Sequence, residues 1–215
     1  VAVALDYPFA RPNHSYLFVD GATLPLAEPG KDNIDGTLLR RGAAPMHERI
    51  AVLAYGANAA PSRLRQKFSA QAPGAIFPVF KARLHDFDIV YACHISSYGS
   101  IPATLTPCRG TVVEIAVTYL DRHQLTRMHE TELSSHSYVF GRLDGLTVEI
   151  GELGTLSTVH SYWARYGYFS LRGGPLALAA IVAERRRFVE ASQDRVQVHA
   201  RDRLAPGRGL HDVVA

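Results

Sequence analysis

The stretch RIAVLAYGANAAPSRLRQKF, residues 49–68, decides the fold because it carries a strand, a turn and a helix in succession. Residues 49–55 form a short, nearly continuous apolar run, which is typical of a strand that is buried on both faces. Gly56 permits a sharp turn, and the proline near the start of the following helix formers predicts a helix that begins close to residues 58–61. The first regular unit is therefore a strand, a tight glycine turn and a helix.

The remaining sequence predicts many short strands and few helices. We expect strands at residues 75–79, 86–92, 103–105, 111–118 and 156–163, separated by glycine and proline breaks. A hairpin over residues 138–150 is predicted to turn at Asp144-Gly145, a pair that tolerates positive φ. Asp121 is a candidate N-cap for a helix that runs to about Glu132, and residues 175–188 resemble a helix with arginines in its last turn. This pattern predicts an α+β fold.

The composition limits the function classes. The chain has 215 residues, 47% of them hydrophobic, and a formal charge of +3, which fits one sizeable globular domain. No apolar stretch approaches the roughly 18 residues of a membrane span, and the first residues lack the features of a signal peptide. Basic residues are spread among acids, so we expect neither nucleic acid nor membrane as a partner. Two cysteines, Cys93 and Cys108, fit buried thiols in a reducing cytoplasm.

Three segments differ in character along the chain. Residues 1–48 are rich in proline, glycine, aspartate and asparagine, and we expect an irregular arm that packs on the core. Residues 49–190 hold the periodic pattern of the main domain, and residues 191–215 resemble a loosely held polar tail. The sequence does not indicate an oligomeric state.

Two positions can carry chemistry. The turn after Tyr55 leaves backbone N–H groups at a helix start, and such groups attract a carboxylate or a phosphate. On the predicted helix from Asp121, the residues Leu125, Met128 and Glu132 share one face. A glutamate on an apolar face is costly to bury without a partner, and a partly desolvated carboxylate suits proton transfer at neutral pH. The alternative is that the helix ends before Glu132 and leaves this side chain in solvent.

Several motifs, which follow one another in the order found in a known family, include both the turn after Tyr55 and Glu132. The segment Leu53–Asn58 resembles the Tyr-Gly-Ser-Asn signature of the γ-glutamylcyclotransferase family, and Met128–Leu133 is similar to the family's Leu-Asp-x-x-Glu-Gly segment. Further resemblances follow the family's order over about residues 50–190: Lys81–Ile89, Ile101–Leu105, Arg109–Glu114, Tyr138 and Gly173–Leu176.

The resemblance implies a small mixed α/β barrel of the γ-glutamylcyclotransferase-like type with flanking helices. It also implies an intramolecular reaction, in which the α-amine of a γ-glutamyl amide attacks the γ-carbonyl and releases 5-oxoproline and an amine or amino acid. Glu132 would be the catalytic acid and base, without any metal or organic cofactor. The residues that the resemblance assigns to substrate binding are Val52, Leu53, Ala54, Tyr55, Gly56, Ala57, Asn58 and Tyr138.

The sequence departs from the family pattern at three positions. Ala57 stands in place of the signature serine, His129 in place of aspartate, and Leu133 in place of the glycine after the catalytic glutamate. Two other readings therefore stay open: hydrolysis of a small amide in the same cavity, and a binding protein that has kept the fold without catalysis. A metal site at Cys93-His94 with His85 or His123, and a nucleophile at Ser134-Ser135-His136, are weaker alternatives because the spacing fits neither site.

Overall fold

The computed structural model describes residues 2–26, 34–68 and 74–209. The helices of this part are α1 (Ala2–Leu5), α2 (Ile34–Leu39), α3 (Pro61–Phe68), α4 (Arg122–Glu132) and α5 (Gln193–Leu204). Its strands are β1 (Tyr16–Val19), β2 (Ala22–Pro25), β3 (Ile50–Ala54), β4 (Ile76–Tyr91), β5 (Ala103–Leu120), β6 (Tyr138–Ile150), β7 (Gly154–Ala164), β8 (Ser170–Leu171), β9 (Gly174–Leu178), β10 (Ala183–Glu184) and β11 (Val189–Ala191). Single turns of 3₁₀ helix lie at Met46–Glu48, Ala57–Ala59 and Gly151–Leu153.

Five of the strands close into a barrel. Their order around the ring is β5-β3-β7-β6-β4, and β4 pairs again with β5. The β3–β7 pairing is parallel and the other four pairings are antiparallel, so the barrel is mixed. The predicted fold class, a small mixed barrel with flanking helices, is confirmed.

The two longest strands are continuous where the sequence predicted breaks. Instead of four short strands, β4 and β5 are two strands of 16 and 18 residues that pair with each other, and the register shifts between His85 and Phe87. Asp86 adopts a φ of 61° and Gly110 a φ of 84°, and the Gly110 N–H donates to Asp86 Oδ1 at 2.7 Å. A bulge of this kind bends a strand without ending it. The glycine and proline signals therefore mark bends in this region.

The predicted hairpin at Asp144-Gly145 is wrong for the same reason. β6 continues through this pair, where Gly145 has a φ of 74° and the register with β7 shifts between Asp144 and Val148. The chain reverses later, at the 3₁₀ turn Gly151–Leu153. A glycine with positive φ serves a bulge as well as a turn.

The helix predicted at residues 175–188 is also wrong. This segment forms β9 and β10, and Leu176–Leu178 are almost completely buried. A short apolar run does not distinguish a buried strand from a helix. Its arginines consequently do not complement a helix end: the Arg186 Nε donates to Asp88 Oδ2 at 3.0 Å, and the Asp88 side chain has no exposed surface.

The two terminal segments are more ordered than expected. In the N-terminal arm, β1 pairs antiparallel with β4. In the predicted tail, α5 places Val196 and Ala200 in the main hydrophobic core. The description of the arm as irregular is therefore wrong for β1 and β2, and the description of the tail as loosely held is wrong for α5; residues 1, 27–33 and 210–215 lie outside the described residues. The division at residues 48 and 190 stays a prediction.

Alternation along β3 separates two cores. Leu53 and Tyr55 belong to the cluster that fills the barrel, whereas Val52 and Ala54 belong to the cluster between the barrel wall and the helices α3 and α4. Successive side chains of a strand point to opposite faces, which produces this division. The end of β3 therefore opens between the barrel interior and the two helices.

Candidate active site

A cavity of about 490 Å³ lies where β3 ends. Its wall is built by the N-terminal arm, the end of β3 with the turn that follows, α3, the β4–β5 loop, the end of α4 with the loop that follows, and single tyrosines of β6 and β7. The lining includes eight of the residues that the sequence assigned to catalysis or substrate binding: Leu53, Ala54, Tyr55, Gly56, Ala57, Asn58, Glu132 and Tyr138. Val52 does not face the cavity, because its side chain packs in the core beneath α3 and α4.

The turn after β3 packs closely against Tyr7 of the N-terminal arm. A Cβ on Gly56 would lie 2.3 Å from the Tyr7 hydroxyl, so no other residue fits here without displacing Tyr7. The Ala59 N–H donates to the Gly56 carbonyl at 3.1 Å, and the Ala60 N–H donates to the Ala57 carbonyl at 3.0 Å. Among the hydrogen bonds of the described residues, none uses the N–H groups of residues 56–58. Three backbone donors are thus available beside the cavity.

Glu132 is the last residue of α4, and its side chain turns inward. The carboxylate forms an ion pair with the Lys67 ammonium of α3, and the exposed fractions of the two side chains are 16% and 12%. Lys67 also donates to Asn58 Oδ1 at 2.6 Å. One ammonium therefore links the acid of α4 to the asparagine of the turn, and it compensates the cost of desolvating the carboxylate.

Sequence reasoning missed Lys67, although a signal was present. Leu64, Lys67 and Phe68 lie at i, i+3 and i+4, so the lysine shares the apolar face of α3. Glu132 stands on the apolar face of α4 in the same way. Two opposite charges on the buried faces of two helices satisfy each other when the helices pack together. The apolar face of α4 that carries Glu132 therefore indicated a basic partner, and the apolar face of α3 supplied it in Lys67.

Tyrosines form much of the remaining wall. Burial raises the pKa of Tyr7, Tyr55 and Tyr138, and the negative charge of Glu132 raises each of them further. The Tyr138 hydroxyl donates to the Ala103 carbonyl at 2.8 Å, and the Ala103 N–H donates to the Tyr7 hydroxyl at 2.7 Å. These phenols stay protonated at neutral pH, and two of them fix the start of β5.

The structure accounts for two of the three departures from the family pattern. Leu133 caps α4 with a φ of −97°, so no glycine is needed there, and His136 adopts the left-handed conformation with a φ of 56°. The His129 Nδ1 lies 2.7 Å from the hydroxyl of Tyr162, which lines the cavity. Ala57 also lines the cavity. Its methyl group offers no hydrogen bond where the signature has a serine hydroxyl.

Comparisons with known proteins show resemblance in structure alone. No protein-family model matches the chain, and no curated protein matches its sequence. A structure described as a gamma-glutamyl cyclotransferase is similar at 18% sequence identity, with 78% of this chain and 88% of that chain covered and a TM-score of 0.46. An uncharacterized protein from Homo sapiens is similar at 17% identity, over 78% of this chain and 88% of its own, with a TM-score of 0.43. A protein from Arabidopsis thaliana matches at 13% identity, over 58% and 78%, with a TM-score of 0.41.

Some residues of the weaker alternatives also line the cavity. His94 lines it and Cys93 is exposed, but no group of three His, Cys, Asp or Glu side chains within the described residues could hold a metal ion. Ser134 and Ser135 line its rim on the exposed loop after α4, where the Ser135 hydroxyl accepts from the Ser137 N–H at 3.3 Å; His136 lies on the same loop. None of the described helices is long and apolar enough to cross a membrane.

Proposed function

We propose that the protein is a γ-glutamylcyclotransferase-type enzyme. One observation carries the proposal: the Glu132 carboxylate and the backbone donors of residues 56–58 line the same cavity, joined by Lys67 and Asn58. A carboxylate and a set of N–H donors across one hollow suit a substrate that carries an ammonium group near an anionic or carbonyl oxygen. A γ-glutamyl amide has this pattern.

In the proposed reaction, Glu132 accepts a proton from the α-ammonium group of the substrate. The freed amine attacks the γ-carbonyl carbon, so a carbon–nitrogen bond forms and closes the five-membered ring. The original amide bond then breaks as Glu132 returns this proton to the leaving nitrogen, and Glu132 next takes the second proton from the ring nitrogen and passes it to the released amine. The nitrogen of the ring loses two protons in total and the leaving nitrogen gains two, so the reaction needs no further reactant. The products are 5-oxoproline and an amine.

The other residues of the site hold the reacting groups. The N–H groups of residues 56–58 bind the carboxylate of the glutamyl part or the oxygen of its carbonyl. Lys67 keeps the Glu132 carboxylate directed toward the cavity, and its ammonium offsets negative charge that develops on the carbonyl oxygen. Because nucleophile and electrophile belong to one molecule, holding the folded conformer supplies a large part of the rate enhancement.

Product analysis tests the proposal. The protein is incubated in ¹⁸O-labelled water with a panel of γ-glutamyl amides and dipeptides, and the products are identified by mass spectrometry. We expect unlabelled 5-oxoproline together with the released amine. Glutamate that carries ¹⁸O would instead identify a hydrolase that uses the same cavity. Binding without any product would identify a protein that has kept the fold alone.

A further inference from the structure

Arg63 occupies an unusual place in the cavity wall. Its guanidinium lies over two neighbouring aromatic rings, 4.8 Å from the centroid of Phe9 and 4.6 Å from that of Tyr98, and these two centroids are 5.9 Å apart. Phe9 comes from the N-terminal arm and Tyr98 from the β4–β5 loop, so segments distant in sequence meet at this side chain. Contact with two rings restricts the orientation of a guanidinium and leaves its N–H donors free for a further partner.

One of these donors, the Nε–H group, has no acceptor among the described residues. This group is buried, and none of the ion pairs formed among the described residues includes the Arg63 side chain. Arg49, an enclosed arginine outside the cavity, donates to the carbonyls of Ala44 and Tyr119 and to Gln124, although its Nη2 also lacks a partner. An enclosed N–H group without an acceptor is unfavourable, and in a cavity wall an anion can supply the missing acceptor.

The charge of the cavity points to an acidic ligand. Lys67 and Glu132 form an ion pair and cancel each other, whereas Arg63 adds one positive charge to the same lining. Arg63 and Lys67 are four residues apart on α3, so they lie one turn apart on one face of the helix, with Cβ atoms separated by roughly 6 Å. The turn at residues 56–58 binds one acidic group of a ligand. A ligand that extends from the turn to Arg63 would pair with this arginine through a second acidic group.

We propose that Arg63 is a specificity-determining residue that binds the carboxylate of the leaving group. The inference rests on the proposed function, in which the glutamyl part occupies the turn and Glu132. The α-carboxylate shares its carbon with the α-ammonium group and stays beside Glu132 and the turn. A carboxylate on the leaving nitrogen lies across the amide bond, and Arg63 receives it there. The arm residue Phe9 holds the guanidinium in place for this contact.

A matched substrate pair tests the role of Arg63. γ-Glutamylglycine and γ-glutamylmethylamide differ only by the carboxylate of the leaving group. We expect the intact protein to show a kcat/KM for γ-glutamylglycine about 10- to 100-fold above that for the methylamide, as charge-assisted hydrogen bonds provide. Arg63→Gln should reduce this ratio to about threefold or less by lowering the value for γ-glutamylglycine alone. Arg122→Gln, an equal change of charge at an exposed position of α4, should leave the ratio unchanged.

A binding measurement separates this inference from the proposed function. Glu132→Gln and the double variant Glu132→Gln/Arg63→Gln are titrated with both compounds by calorimetry, because binding needs no turnover. Loss of the preference for γ-glutamylglycine in the double variant supports the Arg63 role even if no 5-oxoproline ever forms, in which case the proposed function alone fails. Turnover with a ratio that Arg63→Gln does not change overturns the Arg63 role alone.

A further variant covers the case in which Arg63→Gln does not fold. Phe9→Leu keeps an apolar side chain but removes one of the two rings that contact the guanidinium, so Arg63 loses part of its alignment. We expect a two- to fivefold decrease in the ratio of the two substrates, with the methylamide rate preserved. An equal decrease for both substrates would show that the arm shapes the cavity without directing Arg63, and would overturn the proposal.

Discussion

Two ion pairs in the described part of the chain are largely buried, and they differ in what they leave unsatisfied. The Arg186–Asp88 pair is saturated. Arg186 reaches Asp88 Oδ1 at 3.1 Å through Nη2 and also donates to the Ile181 carbonyl at 2.8 Å. Asp88 Oδ1 accepts in addition from the Ile89 N–H at 2.8 Å. No exposed surface remains on the aspartate, so this pair has no capacity for a ligand.

The Lys67–Glu132 pair lies in a cavity and is not saturated. Only Oε1 of Glu132 takes part in the hydrogen bonds found among the described residues, and both side chains keep some exposed surface. A carboxylate can accept about four hydrogen bonds, so Glu132 retains capacity for a substrate ammonium group. Spare hydrogen-bonding capacity, rather than burial, therefore distinguishes a charged side chain of a candidate active site from a charged side chain with a structural role.

Glu132→Gln gives the largest expected effect on activity. The substitution keeps the shape of the side chain and removes the base, so we expect the kcat for 5-oxoproline formation to fall by about 10²- to 10⁴-fold. Glu130→Gln is the matched control on α4: Glu130 pairs at the surface with Arg127, 2.8 Å away, and its replacement should leave kcat within about twofold. Full turnover by Glu132→Gln would exclude Glu132 as the base.

Arg186→Met gives the largest expected effect on stability. It leaves Asp88 buried without its partner, and we expect the free energy of unfolding to fall by roughly 3–5 kcal/mol in urea titrations. The surface variant Glu130→Gln should change it by about 0.5 kcal/mol or less. If Arg186→Met were neutral in stability but abolished turnover, the division between a structural and a functional pair would be reversed.

The sequence could predict the parts of the fold that local signals determine, and it could not predict those that depend on distant partners. The strand, turn and helix over residues 49–68 and the capped helix α4 were predictable, because local signals such as the Asp121 cap set them. The helix expected at residues 175–188 was wrong because a short apolar run also fits a buried strand, and this segment pairs with the distant strand β4, where Val90 lies opposite Ala177. Long-range pairing is invisible in local patterns.

The site was predictable to a similar extent. The turn and Glu132 could be found from glycine and from the apolar face of α4. Tyr7 could not, because its contact with Gly56 joins segments that are 49 positions apart (56 − 7) and depends on the path of the arm. Arg63 could not either, since nothing local indicates that its guanidinium contacts Phe9 and Tyr98.

Gly56→Ala tests how closely the cavity end is packed. The new methyl group would lie 2.3 Å from the Tyr7 hydroxyl, so we expect a loss of about 1–3 kcal/mol in unfolding free energy and a higher KM. In the double variant Gly56→Ala/Tyr7→Phe the nearest remaining ring atom is Tyr7 Cζ at 3.4 Å, and part of the stability should return. Simple addition of the two single losses would contradict a direct contact between these residues.

The smallest expected effect is on the pH dependence of stability, and it involves His129, which contacts Tyr162 of the cavity wall. Burial lowers the pKa of His129 from its ordinary value of 6.5, so the unfolded chain binds a proton at a higher pH than the folded one. The neutral ring therefore stabilises the folded state above about pH 6.5, and this contribution is lost as the pH falls further. His94, also lowered by burial, acts in the same direction.

Replacing His129 by glutamine removes its titration while keeping a polar partner for Tyr162. We expect the decrease in Tm between about pH 7.5 and pH 5.5 to be smaller in His129→Gln than in the intact protein, although His94 preserves part of it. Equal decreases in the two proteins would show that His129 is accessible to protons in the folded state. The region behind Tyr162 would then be open to water. Exposure to solvent, which distinguishes the Lys67–Glu132 pair from the sealed Arg186–Asp88 pair, would then include His129 as well.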